Sequence, residues 1–356
     1  MTWPIKKLGE VIEINYGKGL PKENRIDSGK YFAYGSNGPV YGTDKSLTKS
    51  ETIVIGRKGT AGALYFISDP CWPIDTTFFA KPKSDVSLKF IYYLLRTKRL
   101  PRLAIVTGVP GINRTTLANI NVQLPPLTTQ KQIVERLDKI TEAQKLNDGL
   151  IKKTDELFQS LLHKELNPAS KDWGVKKLSE IGNIVTGTTP STQNADYWNG
   201  EFLWATPTDI KKDTFMLTDT PKKLSREGYE KTRPVPKNAI LVTCIASIGK
   251  MAIAGSEMAT NQQINSIVCN ENSDPLFVFF SLQKDKKKLI SLGKTTAVPI
   301  INKSEFSRVK IFLPPLKIQK QIVAKLSAVQ NYKTRLLGQK AKLKELFDSA
   351  LAESMN

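Results

Sequence analysis

Few side chains in this 356-residue sequence have the types and spacing that covalent chemistry needs. His163 is the single histidine, so a histidine–carboxylate pair in each half of the chain is impossible. Gly293-Lys294-Thr295 resembles the end of a phosphate-binding P-loop, but Lys288 stands where that motif needs glycine. Asp69-Pro70 and Asp75 lack the Asp/Glu-x-Lys that would complete a nuclease site. We therefore predict that the chain itself is not an enzyme.

The sequence also predicts that the chain holds no cofactor and no metal. Cys71, Cys244 and Cys269 lie too far apart along the chain to form a zinc ligand pair. No glycine-rich cofactor loop follows a strand-like run, and the Asn-Pro-Pro-Tyr and Asp-Pro-Pro-Tyr motifs of amino-methyltransferases are absent. Three widely spaced cysteines argue against a disulfide framework, which favours a reducing, cytoplasmic location. No signal peptide or membrane-spanning apolar run is expected.

Two glycine-containing basic segments could instead form hydrogen bonds to a nucleic acid. Residues 57–62 follow the strand-like run Ile53 to Ile55, and Arg57 has a planar guanidinium suited to guanine or phosphate. Residues 246–250 follow a second strand-like run and are the counterpart in the repeat described below. The glycines would let backbone amides approach a phosphate, although an ordinary basic hairpin has the same sequence pattern. The candidate contacts in these segments are Arg57, Lys58, Thr60, Ser247 and Lys250.

Other segments add weaker candidates for nucleic-acid contact. Residues 31–38 mix aromatics, glycine and asparagine, and asparagine can bind adenine through two hydrogen bonds. An ordinary turn with buried tyrosines is an equally good interpretation. Residues 222–233 are rich in basic side chains, which more often contact the backbone than the bases. For the repeated loops 107–110 and 296–299, a role as structural hinges is slightly favoured over contact with DNA. The candidates are Tyr34, Ser36, Asn37, Lys222, Lys223, Arg226, Lys231 and Arg233.

The charge of the whole chain supports a polyanionic partner. Lys and Arg number 53 against 33 Asp and Glu, which gives a formal net charge of +20. Such an excess favours DNA first, RNA second and an anionic membrane surface third. A membrane is the weakest of these, because the basic residues are not gathered on one amphipathic stretch. A merely basic protein without such a partner remains an alternative.

The chain contains an internal repeat with an offset of 189 residues. Residues 112–140 align with residues 301–329 without a gap, from INRTTLANI against INKSEFSRV to the end of the block. A duplicated unit in one chain can imitate a homodimer and present two similar surfaces related by a pseudo-two-fold axis. Such a frame suits a target in two parts, for which DNA half-sites are the obvious example.

Each repeat ends in a segment that predicts a long helix, over 128–166 and 317–356. The first has apolar residues at three- and four-residue steps, including Leu146, Leu150 and Leu157, and Thr128 as a possible cap. Stripes this narrow predict that the helices pack on each other as an antiparallel, coiled-coil-like pair. The alternative is that each helix packs on its own globular unit. The candidate spacer or partner contacts are Gln130, Gln132, Ile133, Leu137, Gln319, Gln321, Ile322 and Leu326.

The rest of the chain predicts two globular units of mixed helix and strand, residues 1–127 and 167–316. The start of the second unit, WGVKKL, is similar to WPIKKL at the start of the first, with an offset of 170. The interiors therefore differ in length and sequence while the edges stay alike. The predicted fold class is α+β, with two globular domains separated by two long antiparallel helices in a pseudo-two-fold repeat.

These segments resemble the specificity subunits of type I restriction–modification enzymes. The stretch TGTTPSTQNADYWNGEFLWATPTDI over 186–210 is similar to the start of a target-recognition domain in that family. The stretch LSREGYEKTRPVPKNAILVTCIASIGKMAI and then ATNQQ continue the likeness, and IVIGRKGTAG and CWPIDTTFF resemble another version of the domain. LPPLTTQKQIV and LPPLKIQKQIV are similar to the entries into the family's spacer helices. The first unit departs from the pattern, because NYGKG replaces the Gly-Thr-Thr-Pro stretch.

The resemblance implies a bipartite DNA target, with one half-site for each recognition domain and a gap fixed by the helix pair. It adds Thr188 and Thr189 to the candidate DNA contacts. It implies two methyltransferase subunits as partners, and motor-nuclease subunits through the complex. S-adenosylmethionine, ATP and magnesium would belong to those partners. The chain is compact for the family, and its C-terminal end after Leu351 is expected to be trimmed.

Two other classes of protein remain open on the sequence. A DNA- or RNA-binding scaffold would have no methyltransferase partner, so co-purification of such a partner would separate it from a specificity subunit. A self-sufficient nuclease would show metal-dependent cleavage by the pure chain.

Overall fold

The computed structural model describes residues 3–83, 85–105, 108–168, 172–211, 214–293 and 298–355. The chain forms two compact units. The first combines residues 1–150 with 336–356, and the second is the continuous stretch 151–335. Among the described residues, every helix is too short or too polar to cross a bilayer.

The first unit is a mixed α/β structure around two small sheets. Its strands are β1 (Ile5–Lys7), β2 (Ile12–Tyr16), β3 (Tyr31–Gly35), β4 (Gly38–Thr43), β5 (Thr52–Gly56), β6 (Leu64–Ile67), β7 (Trp72–Pro73), β8 (Thr77–Pro82) and β9 (Asn121–Gln123). Its short helices are α1 (Leu8–Val11), α2 (Leu88–Thr97) and α3 (Arg114–Ala118), with 3₁₀ turns at Lys22–Asn24 and Leu100–Leu103. The long helix α4 (Leu127–Glu165) begins in this unit.

The strand order of the first unit follows from which strands are buried. The main sheet has the order β2-β8-β5-β6, and a second sheet has the order β4-β3-β7, with β1 paired to β9 apart from them. All five residues of β5 are buried, as expected for an inner strand of Val and Ile. The strand-like run from Ile53 to Ile55 is confirmed within β5.

The second unit repeats this architecture. Its strands are β10 (Gly174–Lys177), β11 (Gly182–Thr186), β12 (Trp198–Ala205), β13 (Met216–Leu217), β14 (Lys223–Leu224), β15 (Ile240–Thr243), β16 (Met251–Ala254), β17 (Ala259–Thr260), β18 (Ile264–Cys269) and β19 (Lys310–Leu313). Its helices are α5 (Leu178–Ile181), α6 (Arg226–Glu230), α7 (Pro275–Lys284), α8 (Lys286–Ser291), α9 (Lys303–Ser307) and the start of α10 (Leu316–Met355), with a 3₁₀ turn at Ala195–Tyr197.

The two units share one topology, which confirms the internal repeat. The sheets of the second unit have the orders β11-β18-β15-β16-β13, β14-β12-β17 and β10-β19. They match the three sheets of the first unit strand for strand, including a parallel pair in each small sheet, β3 with β7 and β12 with β17. The difference is β13, which adds a fifth strand in parallel beside β16. The predicted α+β class is therefore correct.

Each unit contains an antiparallel pair of helix segments from α4 and α10. In the first unit, Arg136 pairs with Glu353 at 3.1 Å and Asp148 pairs with Lys340 at 2.9 Å. In the second unit, Asp155 pairs with Lys333 at 2.7 Å and Glu165 pairs with Lys325 at 3.1 Å. Residue numbers rise on one helix as they fall on the other, so the predicted antiparallel pairing forms within the chain.

The helix segments also pack on the globular part of their own unit, so both interpretations of the helices hold. Ile133 and Leu137 join the core of the first unit, and Ile322 and Leu326 join the core of the second. The helix bounds lie within one residue of the predicted ones. Because α4 begins at Leu127, Thr128 lies inside the first turn and is not its cap.

The predicted apolar stripe of the first helix was wrong at Leu146, Leu150 and Leu157. Leu146 is 63% exposed and Leu157 is 51% exposed, whereas the polar residues Asn147 and Thr154 are buried. The buried positions continue from Ile140 at heptad steps, which is the seam of a coiled coil. A prediction based only on apolar residue types misses this seam at the positions where its residues are polar. Leu150 of α4 and Leu346 of α10 are likewise exposed.

Candidate nucleic-acid interface

Four loops of the first unit meet at one end of its two sheets, and we name residues 17–19, 34–38, 57–62 and 74–76 the first loop cluster. The amide of Lys18 donates to the Pro73 carbonyl at 3.0 Å, and the amide of Ile74 donates to the Tyr34 carbonyl at 2.9 Å. The amides of Arg57 and Lys58 both donate to the Thr76 carbonyl. All six predicted contacts of the first unit, which come from two separate segments, therefore lie in one cluster.

The guanidinium of Arg57 is held in place from two directions. Its Nη1 donates to the Asp75 carbonyl at 3.0 Å. Its Cζ lies 5.1 Å from the ring centroid of Tyr16 and 6.0 Å from that of Phe78, a distance at which a cation is attracted to an aromatic face. Arg57 remains half-buried, so a fixed guanidinium is presented at the end of the sheet.

The turn between β3 and β4 is tied to the hairpin between β5 and β6. The Ser36 hydroxyl donates to the Lys58 carbonyl at 2.6 Å, and the Thr60 hydroxyl donates to Asn37 Oδ1 at 3.0 Å. Ser36 is buried, whereas Asn37, Lys58 and Thr60 are exposed. Ser36 therefore holds the hairpin, while the other three side chains remain exposed to solvent. Burial raises the pKa of the half-buried Tyr34 phenol above its usual value.

The amides of the first hairpin do not form the expected phosphate cradle. The amide of Gly59 donates to the Pro110 carbonyl, that of Ala61 to Gly59, and that of Gly62 to Gly56. Gly59 and Gly62 have φ of +80° and +83°, so glycine is needed here for the shape of the turn. The hairpin therefore offers side chains, since these amides already have partners within the protein.

Four loops of the second unit form the equivalent second loop cluster, which consists of residues 187–189, 206–209, 244–250 and 261–263. The amide of Thr188 donates to the Thr260 carbonyl at 2.7 Å, and the amide of Asn261 donates to Ala205 at 2.9 Å. The amide of Cys244 donates to Gln263, as Arg57 does to Thr76. The same main-chain bonds therefore join equivalent loops in both units.

These bonds fix the register between the two hairpins. The amide of Ile112 donates to the Arg57 carbonyl, and the amide of Ile301 donates to the Cys244 carbonyl. Cys244 is therefore the counterpart of Arg57, Ile245 that of Lys58, and Ser247 that of Thr60. The charged Lys250 lies one residue beyond Gly249, at the position of Ala63, so it does not replace Lys58.

The predicted contacts of the second unit differ in accessibility. The Lys250 ammonium donates to the Pro207 carbonyl at 3.1 Å, and Ser247 and Lys250 are both half-buried. The Thr189 hydroxyl donates to Gln262 Oε1. The Thr188 hydroxyl is buried, so it is not available at the surface of the cluster. Within the second loop cluster, Thr189, Ser247 and Lys250 are thus the predicted contacts with accessible side chains.

The basic segment 222–233 lies beside β12, outside the loops of the second cluster. Lys223 is on β14, where its ammonium pairs with Asp219 at 3.0 Å. The Arg226 guanidinium lies over the ring of Phe202 at 5.6 Å. Exposed basic side chains of this segment are Lys222, Arg226, Lys231 and Arg233. The repeated loops near Pro110 and Pro299 include Thr107, Thr296 and Ala297, which lie outside the described residues.

Two polar residues among the predicted spacer or partner contacts are buried at the starts of the long helices. Gln130 is 1% exposed. Its side-chain Oε1 accepts a hydrogen bond from the amide of Ser87, and its Nε2 donates to the Pro125 carbonyl. Gln319 is 0% exposed and bonds in the same way to Asp274 N and the Pro314 carbonyl. Each glutamine clamps a long helix to its own globular part. Gln132 and Gln321 are exposed at equivalent positions.

The structure adds residues to the first cluster that the sequence analysis missed. The Arg114 guanidinium lies 5.4 Å from the ring centroid of Tyr16, the same ring that Arg57 approaches. Tyr16 and Lys18 are exposed. Tyr16 and Lys18 stand directly before and after Gly17 at the end of a strand, and this position was the sequence signal that could have identified them. Within the described ranges, no cluster of His, Cys, Asp and Glu could hold a metal ion.

A model of the type I restriction modification DNA specificity domain family matches residues 1–154 and 170–345. Because these ranges cover most of the sequence, the chain belongs to that family. The fold agrees with a crystal structure of a type I restriction–modification S subunit from M. genitalium. The TM-score is 0.73, with 16% identity over 100% of this chain and 96% of that one. At this identity the likeness concerns the fold alone.

Two relatives are similar to parts of the chain. The type I restriction enzyme MjaIX specificity subunit of Methanocaldococcus jannaschii is 29% identical over 194 residues, which are 53% of this chain and 44% of that protein. The type I restriction enzyme HindI specificity subunit of Haemophilus influenzae is 32% identical over 165 residues, which are 43% of this chain and 35% of that protein. The matched parts span less than half the length of each relative.

Proposed function

We propose that the chain is the DNA-recognition subunit of a type I restriction–modification complex, with a bipartite target and one half-site for each globular part. The observation that carries this proposal is the pair of loop clusters, which share their main-chain bonds and differ in their side chains. Shared bonds give both clusters one shape, and different side chains give each its own base preference. The net charge of +20 supplies attraction to the DNA backbone.

The residues proposed to contact DNA are those that the loops leave accessible. In the first cluster, Asn37 is suited to adenine, and Arg57 is suited to guanine or phosphate. Lys58 and Thr60 are exposed beside them. In the second cluster the contacts are Thr189, Ser247 and Lys250, and the basic side chains of segment 222–233 hold the backbone. The proposed recognition domains span residues 1–127 and 167–316.

The proposed partners are two methyltransferase subunits, with motor-nuclease subunits joining through the complex. Exposed side chains on the long helices support a docking role, in particular Gln132 and Gln321 at equivalent positions and the apolar Leu146 and Leu157. The chain contributes no catalytic group, and S-adenosylmethionine, ATP and magnesium belong to the partners. We place the complex in the cytoplasm, where the free thiols of the three cysteines would stay reduced.

Adenine methylation mapping tests this proposal in cells that express the chain with its neighbouring methyltransferase subunit. The expected result is a split motif with a fixed gap. The control is the same methyltransferase with a different specificity subunit, which shows that the enzyme is active. Methylation that appears with the control subunit and not with this chain would contradict the proposal.

A further inference from the structure

Each hairpin of the two loop clusters has a basic segment packed beside it. In the first unit this segment is Lys98-Arg99-Leu100-Pro101-Arg102, between α2 and the loop to α3. In the second it is Lys286-Lys287-Lys288-Leu289-Ile290, in α8. We name them the first and second basic segments. Neither belongs to the predicted contacts, because their charges are short runs among ordinary helix residues.

The first basic segment is anchored against the first hairpin by its uncharged residues. Leu100 is buried, and Pro101 lies so close to Gly62 that a Cβ there would be 2.5 Å from the Pro101 nitrogen. Lys98, Arg99 and Arg102 are exposed around this anchor. Arg99 has φ of +48°, an unusual backbone conformation for a residue with a side chain.

The second basic segment makes the corresponding contacts with the second hairpin. Leu289 is buried, and a Cβ at Gly249 would lie 3.3 Å from Ile290 and 3.4 Å from the stem of Lys286. Gly249 is the counterpart of Gly62, so each basic segment lies against the equivalent glycine of its hairpin.

The two basic segments are thus both positively charged, although the hairpins beside them differ in their side chains. The first hairpin has Arg57 and Lys58 where the second has Cys244 and Ile245, yet both neighbouring segments are basic. Lys288 forms a long ion pair with Asp285 at 3.5 Å, whereas Lys287 is exposed and has no ion pair within the described part of the chain. A charge retained beside a variable hairpin fits the part of a DNA target that does not vary, which is the phosphate backbone.

We propose that the two basic segments bind backbone phosphates of DNA without regard to sequence, through Lys98 and Arg99 in one unit and Lys287 and Lys288 in the other. The hairpins beside them then set the base preference. This inference rests on the proposed function, and it assigns affinity and specificity to different residues of each cluster.

The test is the double variant Lys98→Gln/Lys287→Gln of the full chain, co-purified with any methyltransferase subunit that it binds. Binding is measured by fluorescence anisotropy on a duplex with the selected half-sites and on a shuffled duplex, at several salt concentrations. Two lost phosphate contacts lower the slope of log affinity against log salt by about 1.8, since each contributes about 0.9. We expect affinity to fall about tenfold on both duplexes, with the methylated motif unchanged.

The matched control is Lys49→Gln/Lys237→Gln, which removes the same charge from exposed lysines that precede β5 and β15, at the strand ends opposite the hairpins. A second variant, Lys98→Arg/Lys287→Arg, keeps the charge and should keep the salt slope. An unchanged slope in the Gln variant, or a fall on the selected duplex alone, would overturn the inference. Wild-type protein that prefers no sequence would instead contradict the proposed function, while its salt slope would still test the phosphate contacts.

Discussion

The first and second hairpins share several main-chain hydrogen bonds and have almost opposite side chains. Arg57 and Cys244 occupy one position, where the amide of each donates across to the turn before β8 or β18. Arg57 is charged and partly exposed, whereas Cys244 is buried. Burial raises the pKa of the Cys244 thiol to about 11, so it is uncharged at neutral pH. The backbone therefore decides where the loop lies, and the side chains decide what it can contact.

The difference also shifts the polar groups of the second cluster to other loops. Its accessible side chains come from residues 187–189, from the turn after β17 and from the end of the hairpin. Gln262 in that turn accepts a hydrogen bond from the Thr189 hydroxyl. The first cluster instead concentrates charge in its hairpin. Two half-sites of different base composition would suit these two arrangements.

The largest expected effect tests the shared backbone. A Cβ at Gly17 would lie 2.0 Å from the Ile74 carbonyl oxygen, and one at the equivalent Gly187 would lie 2.2 Å from that of Asn261. We expect Gly17→Ala and Gly187→Ala each to lower the free energy of unfolding by about 3 kcal/mol, because backbone must move to admit the methyl group. Thermal unfolding measures the loss.

The controls for these substitutions are Gly19→Ala and Gly174→Ala. A Cβ at either position meets no atom within 4 Å. Both should leave the melting temperature nearly unchanged. If Gly17→Ala melted like Gly19→Ala, the close packing of the first cluster would be wrong.

A smaller effect tests the side chains. Arg57→Ala should weaken recognition of the half-site served by the first unit by about 2 kcal/mol, because a fixed guanidinium is lost. Recognition of the other half-site should not change. Methylation of a library randomised at each half-site in turn measures both preferences. Equal loss at both half-sites would point to a general folding defect.

The smallest effect is expected at the counterpart of Arg57. Cys244→Ser exchanges a buried thiol for a hydroxyl of similar size at a position that does not face the surface. The methylated motif and the salt dependence of DNA binding should both match the wild type. A changed preference at the second half-site would show that the buried position contributes to recognition, and the contrast between the hairpins would then be weaker.

Much of this architecture could be predicted from the sequence, because the repeated residues mark equivalent elements of the two units. Strands β5 and β6 follow from their apolar runs, and the two long helices follow from segments almost free of glycine and proline. The polar seam at Asn147 was not predictable from residue type. Its Nδ2 donates to the Leu336 carbonyl at 3.0 Å, a contact 189 residues away in the chain.

The loop clusters were predictable only in part. The sequence indicated the separate segments around Asn37 and Arg57, but their convergence depends on the turn before β8, which carries little signal of its own. The register that pairs Arg57 with Cys244 depends on main-chain bonds, and no alignment of such different side chains would reveal it. The clamping amides of Gln130 and Gln319 likewise become visible only with their partners in place.

The pairing of α4 with α10 has a consequence for the order in which the protein is made. The first unit needs residues 336–356 for its helix pair, whereas the second unit is continuous from 151 to 335. On the ribosome, the second unit has all of its residues before the first one does, although the first begins to emerge earlier. Until then, the core residues Ile133, Leu137 and Ile140 lack Phe347 and Ala350 beside them. The half that is synthesised first is therefore completed last.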